Sequence, residues 1–184
     1  AYASTGTATT VQFEPFDAWV PLGTTAVCSV PTTWDPARDR RKPLGPWSKC
    51  LHECVVLDSG PELAVSKILD RSAAVDWWAR NDPAVVKIKT PAGNYWPDFV
   101  FDGTIDGRHT TVLIGVKGEH LWDSADTSDT RIKAIHAAKY CEAATAVGGR
   151  TFEHWLVLGG DANASSTVEQ LRASAVGLGS FLAE

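Results

Sequence analysis

The chain has no methionine, only four cysteines, no apolar run approaching ~20 residues and no surplus of positive charge. Each absence narrows what it can do. Without a long apolar run, no segment is expected to span a bilayer as a helix. Cys28, Cys50, Cys54 and Cys141 are too unevenly spread for a disulfide framework, and a domain of 184 residues buries enough core without one. A reducing, cytoplasmic setting is therefore expected. His52 lies between Cys50 and Cys54, but no second Cys/His pair completes the four ligands of a structural zinc site, so packed thiols are the simpler reading. The formal net charge of −5 and pI near 5.5 argue against a free-standing, nonspecific DNA binder, whose affinity rests on excess lysine and arginine. Any contact with nucleic acid must be local. No GxxxxGK[ST] loop occurs, so a nucleotide-driven motor would lie on another segment or another chain. The start, AYASTGTATT, has neither the basic nor the apolar part of a secretion signal and no initiating methionine, which fits a processed chain or a piece of a longer polypeptide.

The residues that are present read as an α/β protein. Residues 1–50 alternate short β-like runs, TTVQFEPF and TAVCSV, with a Pro/Trp-rich stretch from Pro31 to Trp47, and form an expected β-rich extension. Within it, ARDRRK (Ala37 to Lys42) is the densest basic cluster, either a solvated loop or a phosphate contact. The main unit is expected over residues 51–184. Val55 to Leu57 reads as a strand end, and Leu63, Ile68, Leu69 and Trp77 recur at helical spacing. Ser59, Pro61 and Glu62 form a helix start, so the pattern predicts one helix, continuous or broken, from about Glu62 to Arg80.

AVVKIKT, YWPDFVFDG and TTVLIGVKG then predict a three-stranded meander, separated by turn formers in PAGN and DGTIDGRH. After the acidic loop DSADTSD, a helix is expected from Thr130 to Val147, ending at Gly148 and Gly149. HWLVLGG reads as a buried strand reached by a crossover and hence parallel to its neighbour. Ser166 and Glu169 open a last helix through about Phe181. The sum is a mixed central β-sheet flanked by helices.

If Thr111 to Glu119 is one strand, Gly115, Lys117 and Glu119 share a face, while Val112, Ile114 and Val116 fill the other. Asp98 on the preceding strand can reach the same edge. Phosphodiester hydrolysis needs such a cluster: carboxylates hold Mg²⁺ between a phosphate oxygen and a water, and a lysine positions that water and offsets developing charge.

YWPDF, its spacing to IGVKGEH and the upstream DSGPE resemble the PD-(D/E)xK nuclease superfamily, most of all the endonuclease domain at the carboxyl end of type III restriction helicase subunits. The resemblance covers roughly Val55 to Leu158. It implies a restriction-endonuclease-like fold cutting DNA with Mg²⁺ (Mn²⁺ able to substitute) within a restriction or antiviral-defence system, alongside a helicase/ATPase or another subunit. It implies that Asp98 binds metal, that Lys117 is catalytic and that Glu62 completes the site. The departure is Gly115, where the family pattern carries Asp or Glu as the second metal ligand. Three accounts remain open: Glu119 or Glu62 has taken over as ligand, the domain is naturally inactive and serves as a noncatalytic DNA-binding or assembly module, or the residue was changed deliberately.

Plainer readings stand beside these. Glu62 fits equally well as the capping partner of Ser59. Asp98 after Pro97 could start a strand as a turn former, yet a lysine inside the apolar VLIGVKG run favours function for both Asp98 and Lys117. His120, Asp123, Asp126 and Asp129 read as a solvated acidic loop before a second metal site. Lys133, His136 and Lys139 recur at helical spacing and form one stripe, which either tracks DNA phosphates, through Lys133 and Lys139, or faces water.

Overall fold

The computed structural model describes residues 29–123 and 127–177. A single turn, α1 (Pro36–Asp39), is capped by Asp35, whose side chain accepts the Ala37 N–H at 2.9 Å. β1 (Pro43–Leu44) pairs antiparallel with β2 (Val55–Val56). α2 (Gly60–Arg71) starts where the sequence predicts, with Ser59 accepting the Glu62 N–H at 3.3 Å and Pro61 in the first turn.

There the helix expected to reach Arg80 stops. Ser72 takes an extended conformation, its N–H donating to the Ile68 carbonyl, and Val75–Arg80 forms β3 instead. Trp78 and Ala79 are fully buried in β3, where a β-branched and aromatic-rich segment fits a pleated surface better than a helical one. The meander shifts accordingly. Segment 84–90 supplies only β4 (Ile88–Thr90), which pairs with β5 (Gly93–Tyr95) in a separate two-stranded hairpin. YWPDFVFDG is split, because Tyr95 ends β5 and β6 (Phe99–Ile105) begins only after Pro97. A proline cannot donate to a ladder, which explains the break.

The central sheet runs β3-β6-β7-β8, where β7 is Arg108–Lys117 and β8 is Thr151–Leu158. β3, β6 and β7 are antiparallel, and β8 joins β7 in parallel, as the crossover predicts. Between β7 and β8 lie α3 (His120–Asp123) and α4 (Thr127–Gly148), so the acidic loop is partly helical, with residues 124–126 outside the described ones. The glycine pair after β8 opens a short α5 (Gly159–Ala164) that the sequence reading treated as part of the strand. α6 (Val168–Ser174) is shorter than expected and is capped by Thr167 rather than Ser166, with Thr167 accepting the Gln170 N–H at 3.2 Å. Of the β-rich extension, TTVQFEPF and most of TAVCSV lie outside the described residues; Val30, Trp34, Trp47 and Cys50 pack against the main core. Among the described residues, no helix is long and apolar enough to cross a membrane.

Both faces of the central strands are covered. Val112, Ile114 and Val116 join Leu63, Val65 and Leu69 of α2, while Leu113 and Val100 point the other way to Tyr95, Ala137 and Cys141. The alternation fixes which side chains of β7 meet which layer. β6 and β7 are joined by Asp106 and Gly107, both with positive φ (49° and 73°), the two-residue turn whose twist matches that of the strands. Gly107→Ala should therefore lower stability by about 1–2 kcal/mol through the left-handed backbone penalty alone, measured as a shift in urea midpoint at constant m-value.

Candidate active site

Asp98 lies one residue before β6, at the end of the sheet away from the Asp106–Gly107 turn. Its N–H donates to the Ile114 carbonyl at 2.7 Å, which extends the β6–β7 ladder by one step. Its carboxylate is pinned on both oxygens: Oδ2 accepts the Val116 N–H at 2.7 Å and lies 3.6 Å from Lys117 Nζ, while Oδ1 lies 3.2 Å from Arg80 Nη1. Asp98 and Lys117, 19 positions apart in the chain, thus meet because β6 and β7 are antiparallel neighbours in this register.

Glu62 comes from another layer. The first turn of α2 carries it over the end of β3, where Oε1 lies 3.3 Å from Arg80 Nη2 and Oε2 accepts the Asp58 N–H at 2.7 Å. The capping-box reading is met only in part, since Ser59 does accept from Glu62 but the Glu62 side chain bonds one residue earlier, at Asp58. Burial raises the Glu62 pKa, with the Arg80 charge and the Asp58 N–H pulling the other way. A buried carboxylate stays ionised only while such a partner compensates it.

Arg80 is the hub the sequence reading missed. Its guanidinium reaches Glu62, Asp98 and, at 3.5 Å, Asp58, donates to the Asp98 carbonyl at 2.6 Å, and lies over the Phe99 ring. The helical pattern that runs to Arg80 masks it; as the last residue of β3, it is carried to the edge where Asp98 precedes β6. The three carboxylates are gathered about one cation, Arg80, and among the described residues the acidic group that converges closely enough to share an ion is Asp76, Asp102 and His109 instead.

Glu119 stays near this edge, its carboxylate meeting Gly159 beside Pro61 and the Lys117 carbonyl, while the remaining candidates lie on other elements. Glu119 follows the end of β7, and its carboxylate accepts the Gly160 N–H at the amino end of α5; its own backbone N–H and that of Gly160 lower its pKa. Lys139 is exposed on α4, whereas Lys133 and His136 are half-buried, and Ala134 and Ala137 of the same helix face the core. In the ARDRRK cluster Arg38 is engaged by Asp39 at 2.6 Å, leaving Arg40, Arg41 and Lys42 exposed. Cys50 is half-buried with its thiol pKa pushed up to about 12, chiefly by burial. Asp76, Asp102 and His109 also converge, further along β6 and β7, but Arg150 engages both Asp102 (3.2 Å) and His109 Nδ1 (3.1 Å), and the group reads as an ion-pair network.

Gly115 has no side chain to offer, and the space its side chain would enter is taken. A Cβ built there would stand 2.3 Å from Tyr95 Oη.

The fold and this edge together define a restriction-endonuclease-like nuclease scaffold. The chain belongs to the endonuclease-domain family: the family model, described as "Endonuclease domain", matches residues 48–154, more than half of the chain and the whole span from Glu62 to Lys117. No curated protein and no solved structure matches it.

Because Arg80 is largely buried and compensates two largely buried carboxylates, Arg80→Ala should cost about 3 kcal/mol or more in a denaturant titration, well beyond a surface ion pair. Asp58→Ala, at a largely exposed carboxylate, should change stability by well under about 1 kcal/mol.

Proposed function

We propose that this chain is a Mg²⁺-dependent DNA nuclease domain that hydrolyses phosphodiester bonds at the Asp98–Lys117 edge, with Mn²⁺ able to stand in for Mg²⁺. The observation that carries the reading is the 3.6 Å approach of Lys117 Nζ to Asp98 Oδ2, with Glu62 tied to the same carboxylate through Arg80. Asp98 and Glu62 would hold the ion, which when bound supplies Lewis-acid polarisation of a phosphate oxygen and a more acidic water. Lys117 positions the attacking water and offsets charge building on the phosphate. Arg80 keeps the two carboxylates close despite their mutual repulsion and is a positioning residue. Lys133 and Lys139 contact the DNA backbone. The resemblance to type III restriction helicase subunits points to a restriction or defence assembly with a helicase or other ATPase as partner.

A second reading has its own observation. Gly115 contributes no oxygen and Tyr95 fills the place of one, which favours a noncatalytic DNA-binding or assembly module on the same fold.

Nicking of supercoiled plasmid separates the two. Under the first reading, Mg²⁺ supports nicking that Asp98→Asn and Lys117→Ala each reduce by at least ~100-fold. Undiminished cleavage by both variants would sink it, and an inert parent that still binds DNA would leave the noncatalytic module. In either case the log–log salt slope for duplex binding should be on the order of −2 to −4, and Lys133→Ala with Lys139→Ala should reduce it by about one per lost contact. Fluorescence anisotropy across a salt series measures it; an unchanged slope would move the DNA contact to Arg40, Arg41 and Lys42.

A further inference from the structure

Position 115 sits in the middle of a well-formed strand, paired with Leu156 of β8, and its φ is not positive. Backbone conformation therefore does not require glycine there. Space does. A Cβ at 115 would stand 2.3 Å from Tyr95 Oη, a separation that real Cβ contacts do not tolerate, but 3.4 Å from Tyr95 Cζ and from Leu156 Cδ1, at the edge of ordinary contact. The obstacle is thus one oxygen atom.

That oxygen cannot easily move aside. Tyr95 is only 4% exposed, packed against Ile88, Val100, Leu113, Ala137 and Cys141. Its hydroxyl is bonded to His154 Nε2 at 2.8 Å, and the two rings meet edge to face at 5.4 Å. Swinging the phenol away would strand the half-buried imidazole, whose Nδ1 is itself buried without a hydrogen-bond partner. Burial holds the His154 pKa down to about 3 and raises that of Tyr95 well above its ordinary value, so both groups are neutral. Where the family pattern puts a negative charge, this protein has an uncharged phenol–imidazole pair.

We propose that Tyr95 and Gly115 are a matched pair in which the phenol fills the place of the acidic side chain, making this a two-carboxylate site that no single substitution at 115 converts into a three-carboxylate one. The proposal rests on the reading of Asp98 and Glu62 as the metal-binding carboxylates. Glycine at 115 is then the steric consequence of Tyr95, and the change is reversible only in two coordinated steps.

A double-mutant cycle on the full chain tests it without any metal. Gly115→Ala should lower Tm by about 4 °C or more by overpacking. Tyr95→Phe removes only the obstructing oxygen, so the same Gly115→Ala change made in that background should cost less than half as much. An equal penalty in both backgrounds, or a neutral Gly115→Ala, would overturn the pairing. Mn²⁺ binding followed by electron paramagnetic resonance gives the second readout. Gly115→Glu alone should leave Mn²⁺ affinity unchanged, while Gly115→Glu combined with Tyr95→Ala should tighten it at least ~10-fold, the effect of adding a carboxylate to a sparse oxygen site. A tenfold gain from Gly115→Glu alone would overturn the proposal. Loss of the metal reading would appear differently, as Mn²⁺ binding indifferent to Asp98→Asn while the stability cycle still shows coupling.

Discussion

The candidate site depends on the way the Asp98 carboxylate is spent. One of its oxygens takes the Val116 N–H and faces Lys117, the other faces Arg80, and its backbone N–H continues the ladder to Ile114. A single side chain thereby joins the ends of three strands: the start of β6, the end of β7 and the end of β3. Glu62 is drawn in through Arg80 from α2, so helix and sheet are clamped at the same point. Because each of these groups is largely buried, none can be left without its partner at small cost, and the site and the packing of α2 on the sheet are one energetic unit.

The two faces of β7 divide the work. Val112, Ile114 and Val116 build the core beneath α2, and that packing sets the register that delivers Lys117 to Asp98. The opposite face, with Leu113 and Gly115, lies against Tyr95 and the α4 layer. The missing carboxylate is therefore a property of that second layer, where the β4–β5 hairpin and His154 of β8 meet. The same strand presents a well-formed lysine–aspartate pair from one end and a neutral, filled position two residues earlier.

Charge follows the same logic. A chain with net charge −5 cannot draw in DNA through its overall field, and the cations nearest the site, Arg80 and Lys117, are both committed to carboxylates. Exposed cations on other segments include Lys87, Lys89, Lys139 and Arg40 to Lys42.

The sequence by itself determined the alternating strands of β6 and β7 with a turn-rich link between them, the parallel β8 after a crossover helix, the start of α2 at Ser59, and the approach of Asp98 to Lys117. All of these are local in cause: period-two burial, turn chemistry and capping act over a few residues, and one hairpin register carries them across to the neighbouring strand. Tertiary structure alone decided the rest. Val75–Arg80 became a strand because β6 offered an edge that buries Trp78, against a helical periodicity set by Leu63, Ile68 and Leu69. That choice placed Arg80 among the carboxylates. It was likewise tertiary structure that turned Glu119 to the end of α5 and laid the Tyr95 hydroxyl over Gly115, because both contacts join segments some 20 to 40 residues apart that no periodicity in the chain connects.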